Sequence, residues 1–306
     1  MTEGTSTAAS GPRAPGGLVA RTVPLGDDGE TVVRESPRRE GAPTLLLLHG
    51  LAATGVLNWG STLAALADRY HVVVVDHRGH GRGLRIRERF RLADCADDVA
   101  VIADALEIPS FVPVGYSMGG PIAQLLWERH PDRVDGLVLC ATACHFGDDA
   151  RQRLGLRLSP VLDAAGRFAP RRALQLVARR LLAEWIPDAE ARARVLDEVA
   201  ESDPITIGQA AFAILRFDSR DWIHQIDVPT SVVLTERDEL VPPHAQREMA
   251  RRIPGARIHA IPGDHGVCVT DPACFEAALL EACGSVVERA AEPRDDDAHP
   301  SGGAPR

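Results

Sequence analysis

Phe111-Val112-Pro113-Val114-Gly115-Tyr116-Ser117-Met118-Gly119-Gly120 joins two apolar patterns within one short span. The run Phe111 to Val114 is continuous, as in a strand buried on both faces, whereas Met118 to Arg129 puts Ile122, Leu125 and Leu126 on one side of a helix. Between them lies Gly115-Tyr116-Ser117-Met118-Gly119, of the form Gly-x-Ser-x-Gly. Glycines two before and two after the serine let the backbone fold back without Cβ clashes, so the turn holds the hydroxyl out in a strained conformation. The pentapeptide alone is only moderately specific in a chain with 27 glycines among 306 residues. The strand before it and the helix after it make it read as a nucleophile turn rather than a glycine-rich loop.

The same alternation extends outwards in both directions. Strands are expected at Leu18 to Val23, Glu30 to Arg34, Thr44 to Leu48, His71 to Val75, Phe111 to Val114, Leu137 to Cys140, Ser231 to Thr235 and Arg257 to Ile261. Helices are expected at Trp59 to Arg69, Asp94 to Leu106, Met118 to Arg129, Pro242 to Arg252 and Pro272 to Val287. Gly26-Asp27-Asp28-Gly29 between the first two strands suggests an antiparallel hairpin. The rest is the pattern of a mostly parallel sheet covered by helices.

Two further motifs stand at strand ends: His49-Gly50 after Thr44 to Leu48, and Asp76-His77-Arg78-Gly79-His80-Gly81 after His71 to Val75. With the serine turn they come in the order, and at the strand ends, where the chain resembles the α/β-hydrolases, over about residues 18 to 283. The resemblance implies an α/β fold: an eight-stranded, mostly parallel sheet with a helical cap inserted after the sixth strand. The expected division is a disordered tail at 1–17, the sheet domain at 18–144 and 223–283, the cap at 145–222, and at 284–306 the end of the last helix and a polar tail.

A serine hydroxyl needs a base to take its proton, and the base is usually a histidine oriented by a carboxylate. The resemblance implies the chain order Ser117, then an acid, then a histidine after the last strand, which selects His265 in Gly263-Asp264-His265-Gly266 among 11 histidines. Asp238, in Thr235-Glu236-Arg237-Asp238, matches the family's Gly-x-x-Asp loop, with Thr235 where the family often has glycine. Glu236, Glu239 and Asp264 remain rivals for the acid. Asp76 belongs with its turn, and His49, His77 and His80 are expected to shape loops. The oxyanion hole implied is the main-chain N–H of Met118 and that of Leu51, with Ala52 as the alternative to Leu51.

Residues His145 to Trp222 contain no convincing strand but helical patterns such as Arg171 to Trp185 and Asp188 to Ala200. Every basic residue of the chain is an arginine, and Arg151 to Arg180 concentrates them against the single acid Asp163. That segment would steer anionic substrates towards the site, or else is a solvated face.

Composition excludes other classes. A net charge of -9 with 4% aromatic residues speaks against nucleic acid as the main partner. No apolar run approaches the roughly 20 residues of a membrane helix, and the first residues lack the apolar core of a signal peptide, so a cytoplasmic protein is expected. The six cysteines are not spaced as a disulfide framework or a zinc site, and no Gly-x-Gly-x-x-Gly stands where a dinucleotide fold needs it, so no metal or cofactor is implied. The expected activity is hydrolysis of a small-molecule carboxylic ester, lactone or thioester through an acyl-enzyme on Ser117. Perhydrolase or haloperoxidase-like chemistry, C–C bond hydrolysis and a non-catalytic ligand-binding role on the same fold are the alternatives.

Overall fold

The computed structural model describes residues 15–146 and 202–292. Strands β1 (Val19–Pro24), β2 (Glu30–Glu35), β3 (Thr44–Leu48), β4 (His71–Val75), β5 (Val112–Tyr116), β6 (Leu137–Cys140), β7 (Thr230–Thr235) and β8 (Arg257–Ile261) form one sheet in the order β1-β2-β4-β3-β5-β6-β7-β8. β1 and β2 are antiparallel to each other, and β2 is antiparallel to β4. From β4 onward every pairing is parallel.

The central strands read as unbroken apolar runs because both faces are covered. Leu46 and Leu48 on one face pack with Val99, Ile102, Ile122 and Leu126 from α3 (Leu92–Ala105) and α4 (Gly119–Arg129). Leu45 and Leu47, pointing the other way, pack with Trp59, Leu66, Phe275 and Leu279. At about 25 cal/mol per Å² of apolar surface, burial on two faces makes these strands the least replaceable part of the sheet.

Some boundaries differ from those read off the sequence. The helix expected at Trp59 to Arg69 is shorter, α2 (Leu63–Ala67), and a separate short helix not expected from the sequence, α1 (Gly55–Trp59), precedes it. Thr54 caps α1 by accepting from the Leu57 N–H at 3.2 Å, and the Gly60-Ser61-Thr62 stretch, poor in helix formers, breaks the chain before α2. β5 runs on to Tyr116, so the strand delivers the serine directly. Pro15–Gly17, grouped with the tail by composition, forms a short turn: Gly16 lies at φ +76° so close to α2 that a Cβ there would be 2.8 Å from the Leu63 carbonyl oxygen. Helices α6 (Pro243–Arg252), α7 (Val267–Thr270) and α8 (Pro272–Ala290) complete the covering, and core packing continues past residue 283 to the buried Val286.

The described ends of the segment between β6 and β7 meet. His145 pairs with Asp218 in an isolated antiparallel bridge, and the Ser219 N–H donates to the Cys144 carbonyl at 2.8 Å. Trp222 stacks on Trp127 of α4. The start of α5 (Pro204–Leu215) docks on the turn after β4: the Asp203 N–H donates to the Gly79 carbonyl at 2.9 Å, and the Gly81 N–H donates to Ser202 Oγ at 3.0 Å. The helices expected at Arg171 to Trp185 and Asp188 to Ala200, the arginine-rich Arg151 to Arg180 segment, and most of both tails lie outside the described residues. Among the described residues, no helix is long and apolar enough to cross a membrane.

Candidate active site

Ser117 sits at φ +50°, in the left-handed region that non-glycine residues avoid. Ala52 after β3 and Ala141 after β6 also have positive φ, so strained backbone gathers at the C-terminal ends of three neighbouring strands. The turn is held from several sides. The Ser117 N–H donates to the Cys140 carbonyl at 3.0 Å, and Thr142 Oγ1 donates to the Ser117 carbonyl at 2.8 Å. A Cβ on Gly119 would lie 2.1 Å from the Leu48 carbonyl oxygen, which is why this position takes glycine.

The loop after β8 brings His265 to the serine. His265 Nε2 is 3.0 Å from Ser117 Oγ, and His265 Nδ1 is 2.8 Å from Asp238 Oδ2. The network assigns the proton: Nδ1–H donates to the carboxylate, which leaves Nε2 to accept from the serine hydroxyl. The Asp238 side chain is wholly buried and that of His265 is 18% exposed, so the carboxylate is shielded from water while the ring is partly exposed. Asp238 Oδ1 accepts from the N–H groups of Leu240 at 2.9 Å and Val241 at 2.8 Å. The rival carboxylates are engaged elsewhere. Glu236 is exposed and pairs with Arg247, Glu239 is exposed, and Asp264 accepts from the Gly266 N–H in its own loop.

The loop after β3 lies against the same serine. Gly50 is close enough that a Cβ there would be 3.3 Å from Ser117 Cβ. The Ala53 N–H donates to the Gly50 carbonyl at 3.3 Å, closing a turn around Leu51 and Ala52. Met118 is buried at the start of α4, whose N-terminal end favours a developing negative charge.

The histidines and the aspartate of the other motifs support this loop rather than contact Ser117 or His265. His49 Nδ1–H donates to the Gly50 carbonyl at 2.7 Å, and His49 Nε2 accepts from the His77 N–H at 3.0 Å. His80 Nδ1–H donates to the Arg78 carbonyl at 3.1 Å. Burial pushes all three histidines below the usual imidazole range, His77 well below it and His80 down to about 3, so they are neutral donors and acceptors. Asp76 accepts from the Gly55 N–H at 2.7 Å and from the Arg82 N–H at 3.0 Å, tying α1 to the turn after β4. Arg78 fixes that turn to α3 by a two-pronged pair with Asp98. His259 on β8 pairs with Glu281 of α8, and His244 is exposed at the start of α6.

Four residues near the site have contacts that the sequence does not assign. Asn58 Oδ1 accepts the Gly50 N–H at 2.9 Å, the Tyr116 hydroxyl donates to the His265 carbonyl at 2.7 Å, and Thr235 and Gln246 surround Asp238. Only Thr235 carried a signal, as the departure from glycine in its motif.

A family model described as alpha/beta hydrolase fold matches residues 43–272. The chain is similar to "Putative carbamate hydrolase RutD" of Caulobacter sp. strain K31, at 32% identity over 78% of this chain and 89% of that protein. It is similar to the pimeloyl-[acyl-carrier protein] methyl ester esterase of Neisseria meningitidis serogroup B, at 30% identity over 69% of this chain and 81% of that one. Among solved structures, the enol-lactonase from Burkholderia xenovorans LB400 superposes with a TM-score of 0.68 at 25% identity, covering 83% of this chain and 96% of that one.

Proposed function

The chain is a hydrolase that belongs to the α/β-hydrolase fold family, and on that premise we propose a cofactor-independent serine hydrolase cleaving a carboxylic ester, lactone or thioester through an acyl-enzyme on Ser117. The observation that carries this reading is the hydrogen-bonded series Ser117 Oγ, His265 Nε2, His265 Nδ1, Asp238 Oδ2, with 3.0 Å and 2.8 Å contacts. Ser117 Oγ attacks the carbonyl carbon as its proton passes to His265 Nε2. Asp238 holds the ring and stabilises the imidazolium. The N–H groups of Leu51 and Met118 receive the oxyanion, an arrangement in which one donor is worth about 3 to 4 kcal/mol. The carbonyl re-forms as the C–O or C–S bond to the leaving group breaks, and Nε2–H protonates that group. A water then gives its proton to His265 Nε2 as it attacks the acyl carbonyl, the acyl bond to Ser117 Oγ breaks, and Nε2–H returns its proton to Oγ to release the acid and the free Ser117.

The similarities to a methyl ester esterase and an enol-lactonase support an acyl carbonyl with an oxygen leaving group. The substrate panel that follows is short-chain esters, five- and six-membered lactones, a thioester and, from the Caulobacter relative's name, a carbamate. Labelling by a fluorophosphonate, with Ser117→Ala as control, tests the class of reaction. Covalent label at Ser117 in the parent and none in the variant is expected, and an unlabelled parent removes the nucleophilic reading.

A further inference from the structure

Thr235 closes β7 at the motif position where the resembled family often carries glycine, and the structure gives its hydroxyl a partner. We propose that Thr235 and Gln246 are positioning residues that brace the Asp238 carboxylate on His265. The proposal rests on the reading of Ser117, His265 and Asp238 as the reacting set.

Thr235 Oγ1 is 2.8 Å from Asp238 Oδ2, the same oxygen that takes His265 Nδ1–H at 2.8 Å. The sense of the hydroxyl bond is dictated by Gln246. Its Oε1 accepts the Thr235 N–H at 3.1 Å, and its Nε2 donates to the Val241 carbonyl at 2.7 Å and to Thr235 Oγ1 at 2.8 Å. Turning the amide over would face its oxygen to the Val241 carbonyl oxygen and its nitrogen to the Thr235 N–H, so only one orientation satisfies both ends. With a lone pair of Oγ1 occupied by Gln246, the single Thr235 proton goes to the carboxylate.

Thr235 and Gln246 are both buried, so water does not compete for these bonds. Oδ1 is held by two main-chain N–H groups of the following loop, and Oδ2 by Thr235 from β7, with Gln246 Nε2 on α6 at 3.4 Å. The carboxylate therefore cannot turn from the imidazole without breaking bonds to the following loop and to β7, while Gln246 on α6, its two amide hydrogens given to Thr235 and Val241, holds the Thr235 hydroxyl in place. An acid fixed before the reaction starts stabilises the imidazolium with no reorganisation when it forms. Glycine at position 235 supplies no such donor, so the brace is a property of this chain's own residues.

Thr235→Val keeps the shape and removes the hydroxyl, whereas Thr235→Ser keeps the hydroxyl and removes the methyl. For p-nitrophenyl acetate, Thr235→Val is expected to lower kcat about tenfold with KM within about twofold, and Thr235→Ser to recover most of the rate. The low-field proton resonance of the His265 Nδ1–H is expected to move upfield in Thr235→Val and to return in Thr235→Ser. If Thr235→Val does not fold, Gln246→Met, which frees the Thr235 hydroxyl to turn away, carries the same expectation for kcat and resonance. A labelled wild type with parental kcat in Thr235→Val, or Thr235→Ser as slow as Thr235→Val with an unmoved resonance, overturns the brace alone. A wild type that takes no fluorophosphonate at Ser117 overturns the functional reading and the brace together.

Discussion

The Tyr116 hydroxyl donates to the main-chain carbonyl of His265 at 2.7 Å, joining the residue before the proposed nucleophile to the loop that carries the proposed base. The ring is buried in edge contacts with Trp59 and Phe275 and lies 5.8 Å from the imidazole. Tyr116→Phe keeps those contacts and removes the tie. Its kcat should fall roughly threefold to tenfold, the worth of one hydrogen bond of about 1 kcal/mol, with thermal stability lowered only slightly. Steady-state kinetics and a melting curve check both, and an unchanged kcat would leave the loop positioned by packing alone.

Asp238→Asn tests the choice among carboxylates. The amide can offer its N–H to His265 Nδ1, which favours the tautomer unable to accept the serine proton at Nε2. Ester hydrolysis should fall roughly 10³- to 10⁴-fold while the fold persists. Matching variants at the exposed Glu236 and Glu239 should leave the rate near that of the parent. A small loss at Asp238 and a large one at either rival would move the acid.

Acid lability should come in two windows. The folded pKa values of His49, His77 and His80 lie below the unfolded value of about 6.5, so below that pH the unfolded chain binds more protons than the native one. Their contribution is complete above pH 6.5 and erodes as pH falls towards the folded values, by up to about 1.4 kcal/mol per pH unit for each histidine. For Glu35, burial acts to raise the pKa, but hydrogen bonds from His71, Arg21 and Arg38 outweigh it and bring it down to about 2. Its contribution is present above the unfolded value of 4.5 and is lost only below that. Chemical denaturation from pH 7.5 to 4.5 should therefore show a falling stability that Glu35→Gln does not remove. A flat profile across this range would contradict neutral buried histidines.

Two glycines should respond in opposite directions to alanine. Gly119→Ala drives a methyl to 2.1 Å from the Leu48 carbonyl oxygen, backbone that cannot move aside, so it should cost several kcal/mol or prevent folding. Gly208 lies inside α5 with open space around its Cβ position, and Gly208→Ala should raise stability by about 0.5 to 1 kcal/mol through helix propensity. Melting temperatures decide both.

Local pattern was enough for much of the molecule. The central strands β3 to β7 were legible because burial on both faces demands apolar runs, and the serine turn was legible because its geometry demands glycines at fixed offsets. Periodicity did not reveal α1, which starts at the Thr54 cap, nor its separation from α2 at Gly60-Ser61-Thr62.

What the sequence by itself determined is therefore the order of the elements and the position of Ser117, since both follow from neighbours within a few residues. The resemblance of its loop pointed to Asp238, but chemistry and spacing could not separate it from Glu236, Glu239 and Asp264, and only tertiary structure shows which carboxylate meets His265. Packing of α6 and the Leu240–Val241 backbone buries one of them against the ring and leaves the others to solvent. It also decided that Thr235, Gln246, Tyr116 and Asn58 bear on the site. Hydrogen bonds between side chains and loops far apart in the chain have no periodic signature, and they exist only once the sheet has brought the strand ends together.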